Sequence, residues 1–199
     1  DGLNKYDGLK FTTYDKSNGL SNEVINCLLE SADGNIWIGT ENGLNVLNKR
    51  TGEITVFQHI TNDSTSLTDN WINHLYQPAP DRMFVCTRKG VNIIDLKTNK
   101  IRSFQNRESR DRRTKSNNIR YLTFHDSEFF VGTDFGLIRY NPQTHENIRY
   151  LNRPGDPQSL SHNQVNVILP ETDSTLWVGT EQGLNLLNLN TGLFLRYLH

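Results

Sequence analysis

The sequence predicts an all-β fold built from repeated four-stranded units, and three observations carry that prediction. The first is a tetrad of aromatic, aliphatic, small residue and threonine: Trp37-Ile38-Gly39-Thr40, Phe84-Val85-Cys86-Thr87, Phe130-Val131-Gly132-Thr133 and Trp177-Val178-Gly179-Thr180. Its closing threonines are 47, 46 and 47 residues apart, a period that marks a repeat architecture. The second is a glycine three residues after each threonine (Gly43, Gly90, Gly136, Gly183), each followed by an aliphatic residue. The third is a pair of flanking positions in register. A β-branched residue precedes each tetrad (Ile25, Ile72, Ile119, Val165), and an aromatic follows it (Phe57, Phe104, Tyr150, Tyr197).

Taken in chain order, the elements begin with Gly2-Leu3-Asn4-Lys5-Tyr6, which matches Gly43-Leu44-Asn45 and Gly183-Leu184-Asn185. Residues 1–15 therefore read as the outer strands of a truncated unit. The first complete unit, 20–58, opens with an apolar run from Val24 to Leu29. Asp33-Gly34 then gives a hairpin signal. Ile36 to Gly39 is a second run, and its consecutive apolar residues suit a strand buried on both faces. Glu41-Asn42-Gly43 makes the next turn, with glycine supplying a positive φ. Leu44 to Leu47 and Glu53 to Phe57 complete four strands. The same reading gives units at 67–105, 116–151 and 160–199, with first strands near 24–29, 71–76, 118–123 and 164–169. Four short antiparallel strands in roughly 40–50 residues define a propeller blade. The expected fold is a β-propeller fragment of four complete four-stranded blades plus an N-terminal half-blade. No long stretch of period 3.6 supports a helix.

Blade stacking gives the registered residues structural roles. Trp37, Phe84, Phe130 and Trp177 are expected to be buried as wedges between blades. The tetrad glycines let one sheet approach the next, and Cys86 is the least bulky departure from them. Gly43, Gly90, Gly136 and Gly183 serve turns. Asn26, Asn73 and Asn166 share one repeat position and Asn45, Asn92 and Asn185 another, so blade geometry explains both sets.

Composition narrows the function. The formal net charge is −1 and the pI is near 6.7, so no nucleic-acid or membrane-surface footprint is present. The one dense basic run, Arg107 to Lys115, carries interleaved acids and reads as a solvated loop. No segment reaches the ~18 apolar residues of a membrane span. Cys27 and Cys86 occupy different repeat positions and read as buried free thiols. The six histidines show no metal-ligand spacing. Neither a phosphate-cradling loop nor a nucleophile elbow occurs. No catalytic residue, metal or cofactor is expected.

The stretch Leu20-Ser21-Asn22-Glu23-Val24-Ile25-Asn26, continued by Asp33-Gly34-Asn35-Ile36-Trp37-Ile38-Gly39-Thr40-Glu41-Asn42-Gly43-Leu44-Asn45, closely resembles the two-component regulator propeller repeat. Leu160 to Asn166 with Trp177 to Asn185 matches nearly as well, and the middle two copies are drifted members. The resemblance implies seven-bladed propellers, often in tandem, in the periplasmic sensor region of hybrid two-component receptors of the Bacteroides type. It further implies an oligosaccharide ligand that controls polysaccharide-utilisation genes, with histidine-kinase activity in the full-length receptor and none in these residues. Membrane contact would come only through other parts of the chain. A propeller acting purely as a protein-interaction platform, or as a lyase or hydrolase, remains an alternative on fold grounds.

Ligand contacts are expected where the copies disagree and where loops meet strands. Trp71 stands where other copies have Val24, Asn118 and Gln164. Arg88-Lys89 and Asp134-Phe135 replace the Glu41-Asn42 and Glu181-Gln182 turn. Arg120 replaces the in-register asparagine. An aromatic face and forked polar groups suit sugar rings and hydroxyls, and Arg88, Lys89 and Arg120 also suit an acidic sugar or sulfate. Interblade packing for Trp71 and ordinary surface charge for Arg88 and Lys89 are the plain alternatives. Self-association is expected through apolar blade faces left without a neighbour.

Overall fold

The computed structural model describes residues 1–104 and 118–197, which leaves the basic run of 107–115 outside the described residues. The chain divides into two compact units, Asp1–Gln105 and Asn106–His199.

The first unit opens with a two-stranded sheet, β1 (Leu3–Tyr6) and β2 (Phe11–Tyr14). One blade follows as β3 (Ile25–Glu30), β4 (Ile36–Thr40), β5 (Gly43–Leu47) and β6 (Ile54–Phe57). The next is β7 (Ile72–Ala79), β8 (Arg82–Thr87), β9 (Gly90–Asp95) and β10 (Ile101–Phe104). The second unit holds β11 (Ile119–His125), β12 (Glu128–Thr133), β13 (Gly136–Tyr140) and β14 (Asn147–Tyr150), then β15 (Val165–Thr172), β16 (Thr175–Thr180), β17 (Gly183–Asn188) and β18 (Phe194–Tyr197). Every four-stranded sheet is an antiparallel meander with neighbouring strands paired in sequence order. The all-β reading holds, with four four-stranded blades and a half-blade. Helix is confined to one 3₁₀ turn at Lys16–Asn18 among the described residues.

The first strands start one residue later than the sequence suggests, and the reason is local. The amide of Val24 donates to Asn22 Oδ1 at 2.7 Å, that of Trp71 to Asp69 Oδ1 at 2.9 Å, and that of Gln164 to His162 Nδ1 at 3.2 Å. A side chain two residues earlier thus takes the donor that a ladder would use. A register shift then follows in all four blades, between Ile25 and Cys27, Ile72 and His74, Ile119 and Tyr121, and Val165 and Val167. Asn26, Asn73, Arg120 and Asn166 are the residues inside these bulges, where a strand re-aims a side chain.

Within each unit the blades pack as the repeats require. Trp37 joins Leu44, Leu67, Ile72, Leu75, Met83, Val85 and Ile94 in a core between the first two blades. Phe130 joins Leu137, Leu160, Val165, Ile168 and Leu176 between the last two. A Cβ on Gly39 would meet Ile72 Cγ2 at 2.7 Å, and one on Gly132 would meet Val165 Cγ1 at 2.9 Å. Gly39 and Gly132 therefore lie where one sheet comes close to the next. Trp37, Phe84 and Phe130 are buried. Trp177 is not: it is half-buried, with its ring tilted against that of Tyr197 at a centroid distance of 5.4 Å. The expected burial therefore fails at this position.

The registered asparagines latch three of the four blades to the loop before them. Asn45 Oδ1 accepts from Ser21 N at 2.8 Å, Asn92 Oδ1 from Thr68 N at 3.0 Å, and Asn185 Oδ1 from Ser161 N at 2.9 Å. Each Nδ2 donates to the hydroxyl of the same residue, and that hydroxyl bonds the tetrad threonine. All three asparagines are fully buried, so both ends of the amide need these partners. Ile138 occupies this position in the third blade.

Candidate functional site

The tetrad threonine shapes the turn that carries the variable residues. Thr40, Thr87, Thr133 and Thr180 each donate to the carbonyl of the glycine three residues on, at 2.8–3.0 Å. The same hydroxyls accept from Asn42, Lys89, Phe135 and Gln182 amides. Fixed residues thus hold a turn whose exposed side chains are free to differ.

Those side chains meet the residue just before the first strand of the same blade. The guanidinium of Arg88 lies 3.3 Å above the Trp71 ring centroid. Asn118 Nδ2 donates to Asp134 Oδ2 at 2.6 Å, and Gln164 Nε2 to Glu181 Oε2 at 2.6 Å. In the first blade the corresponding residues, Val24 and Glu41, are joined only by Glu41 N donating to Val24 O at 3.2 Å. The two variable positions therefore form one paired site per blade, and its chemistry changes from blade to blade.

In the first unit the structure brings Trp71, Arg88 and Lys89 together with Asp69. Asp69 Oδ1 accepts from Trp71 N at 2.9 Å, while its Oδ2 pairs with Lys89 Nζ at 2.9 Å. Trp71 is half-buried and both Arg88 and Lys89 are exposed. An exposed cation–π contact is worth about 0.5–1 kcal/mol, and an exposed ion pair about 0.2–1 kcal/mol. Both are weak enough for a ligand to rearrange. Asp69 was missed from sequence, although its place two residues before Trp71 matches Asn22 and His162 and marks it as a strand-start cap.

In the second unit Arg120, Asp134 and Phe135 are also neighbours. Arg120 Nε pairs with Asp134 Oδ1, and its Nη1 reaches Asn166 Oδ1 at 3.4 Å. Asn26, at the same bulge position, instead donates to Ile72 O at 3.0 Å. Both contacts link the first strand of one blade to that of the next. Arg120 thus keeps the asparagine's bridging role while adding a charge neutralised by Asp134. Asn166 donates to Glu181 at 3.2 Å, so a polar chain runs from Asn118 through Asp134, Arg120 and Asn166 to Glu181 and Gln164. Phe135 contributes its carbonyl to Arg149 Nη1 at 2.9 Å; burial lowers the Arg149 pKa.

Other charged and nucleophilic groups are structural in their surroundings. Arg139 pairs with Glu128 and donates to Leu189 O at 3.1 Å. Burial opposes its charge, but Glu128 and Tyr150 outweigh that and raise its pKa. It borders a cavity of about 560 Å³ with Tyr150, Arg153, Asp156 and Phe194. Burial pushes the Cys27 thiol up to about 12, and that of Cys86 up as well. Neither forms a thiolate near neutral pH, and both are free.

Comparison with known proteins places these repeats. Residues 19–42 match the two component regulator propeller family. The fold is similar to the extracellular domain of the hybrid two component system BT3049 from B. thetaiotaomicron, with 28% identity, a TM-score of 0.80, and coverage of 97% of this chain and 27% of that one. The extracellular domain of BT4673 from the same organism shares the fold at 24% identity and a TM-score of 0.76, over 94% of this chain and 24% of that one. A 66-residue stretch is 35% identical to Histidine kinase P4 of Formosa agariphila, covering 33% of this chain and 5% of that protein. The chain thus spans about a quarter of the solved relatives and a small part of the curated one.

Proposed function

We propose, from the match of residues 19–42 to the two component regulator propeller family and the likeness of the fold to an extracellular receptor domain, that this chain is a ligand-sensing, extracytoplasmic part of a hybrid two-component receptor that binds an oligosaccharide. The observation that carries the reading is the paired variable site. A rigid blade framework repeats in register while one residue pair per blade is exchanged: Trp71 with Arg88, Asn118 with Asp134, Gln164 with Glu181. Aromatic rings, carboxylates, amides and guanidinium groups on a fixed scaffold are the groups that sugar faces and hydroxyls need. Similarity to an extracellular receptor domain across 97% of the chain supports the sensor role. The likeness to a histidine kinase supports a kinase output in the full-length protein. In this reading the sensor lies in the periplasm, and ligand binding is coupled to phosphorylation through other parts of the receptor. Self-association is proposed for the isolated 199-residue stretch alone, and a dimer formed by it need not be that of the receptor.

The test is calorimetry of the full-length receptor with oligosaccharides from glycan breakdown. Binding should be lost when Trp71, Arg88, Lys89, Arg120, Asp134 and Phe135 are all changed to alanine. Unchanged affinity in that variant would place the ligand elsewhere.

A further inference from the structure

The state of each cation at the paired sites says what kind of saccharide fits. Lys89 is paired with Asp69, and Arg120 is paired with Asp134 and bonded to Asn166. Asp134 also accepts from Asn118. These groups are mutually satisfied. Arg88 differs: it is exposed, has no acidic partner within 4.0 Å among the described residues, and rests on the Trp71 ring. At the same turn position the first and last blades carry acids, Glu41 and Glu181, so blade two inverts the charge there. It also places an indole opposite that charge.

Building on the oligosaccharide reading above, we propose that the saccharide is anionic and that Arg88 takes its carboxylate or sulfate. The guanidinium fork matches either group with two parallel hydrogen bonds. In the free protein Arg88 covers the Trp71 face. When it swings to the anion, that face is released to stack on the apolar side of a sugar ring. Lys89 and Asp69 flank the site: Asp69 accepts a hydrogen bond from the Trp71 backbone amide and is itself paired with Lys89. One side chain would then read the charge and uncover the surface that reads the ring.

The experiment is calorimetry on the full-length protein with three probes: a glucuronate-containing disaccharide, a sulfated galactose disaccharide and neutral cellobiose. At least one charged probe should bind roughly tenfold or more tightly than cellobiose, the scale of a charge-assisted bond. Arg88→Gln should remove that advantage, with the melting temperature lowered by no more than the loss of one exposed cation–π contact. The charged probe that loses more affinity identifies the anion as carboxylate or sulfate. Trp71→Ala should weaken all probes that bind. Equal binding of cellobiose and the charged probes, untouched by Arg88→Gln but lost in Trp71→Ala, would overturn the anionic inference and leave the oligosaccharide reading standing. Failure of all three probes would count against both.

Discussion

The indole Nε1 of Trp37 donates to the hydroxyl of Ser31 at 3.1 Å, deep between two blades. Ser31 in turn bonds Asp33 and donates to Asn35 O at 3.0 Å, so the wedge residue is tied to the hairpin turn that precedes its own strand. Turn chemistry and interblade packing are here one structure.

Trp37→Ala should therefore cost on the order of 3–5 kcal/mol, by lost burial and an unfilled cavity. Phe130→Ala should cost a similar amount, because Phe130 is fully buried. Trp177→Ala should cost clearly less, since that ring is only half-buried against Tyr197. Urea melts of the three variants check the order. Equal losses for Trp37 and Trp177 would refute the burial argument.

Asp33 gives a pH prediction. Its pKa is lowered, first by the Ser31 hydroxyl and also by the Asn35 amide and side chain, against a smaller opposing effect of burial. A depressed carboxylate contributes stability that is present above its unfolded value, near 3.8, and is lost as pH falls through the lower folded value. Melting temperature should therefore drop on acidification below about pH 4, and Asp33→Asn should flatten part of that drop. An identical acid profile in the variant would show that Asp33 carries none of it.

The latch asparagines make a third case. Asn92 is fully buried and bonds both the amide and the hydroxyl of Thr68. Asn92→Ala strands a buried donor, and the cost should be about 1–3 kcal/mol. Asn45→Ala and Asn185→Ala should behave alike, because their partners repeat in register. Thermal melts with each variant check this; a neutral effect at all three positions would remove the latch from the account of blade stability.

How far the sequence was legible follows from which interactions repeat. The tetrad, the turn glycines and the buried asparagines could be read as structural because one geometry imposes them four times, or three. Arg120 could be read as a departure, but its pairing with Asp134 could not. That contact depends on a bulge that aims the strand residue, and the bulge leaves no mark in the residues themselves. The pairing of Trp71 with Arg88 was hidden for the same reason: the two positions are 17 residues apart, and only the folded hairpin joins them. The half-burial of Trp177 is a matter of neighbours, so no property of its own repeat could announce it.

The face around Trp177 supplies the last prediction. Leu169 pairs with Trp177, Trp177 with Leu186 and Leu186 with Leu195, so these four side chains form a row across the sheet β15–β18. Leu169 is 60% exposed and Leu195 57%. In the first blade the same row is Leu29, Trp37, Val46 and Thr55. There the neighbouring blade covers Trp37, with Leu29 and Val46 packed at the edge of the shared core. The uncovered row thus has the composition of a blade interface without its partner, and soluble monomers seldom leave such a patch open. The isolated chain should self-associate as its concentration rises, with this row at the contact. Light scattering on a dilution series should show dimers that Leu195→Glu or Leu169→Glu abolishes without lowering the melting temperature, because both side chains are exposed in the monomer. A strict monomer at high concentration, or dimers that survive both substitutions, would show that the face is not the point of association.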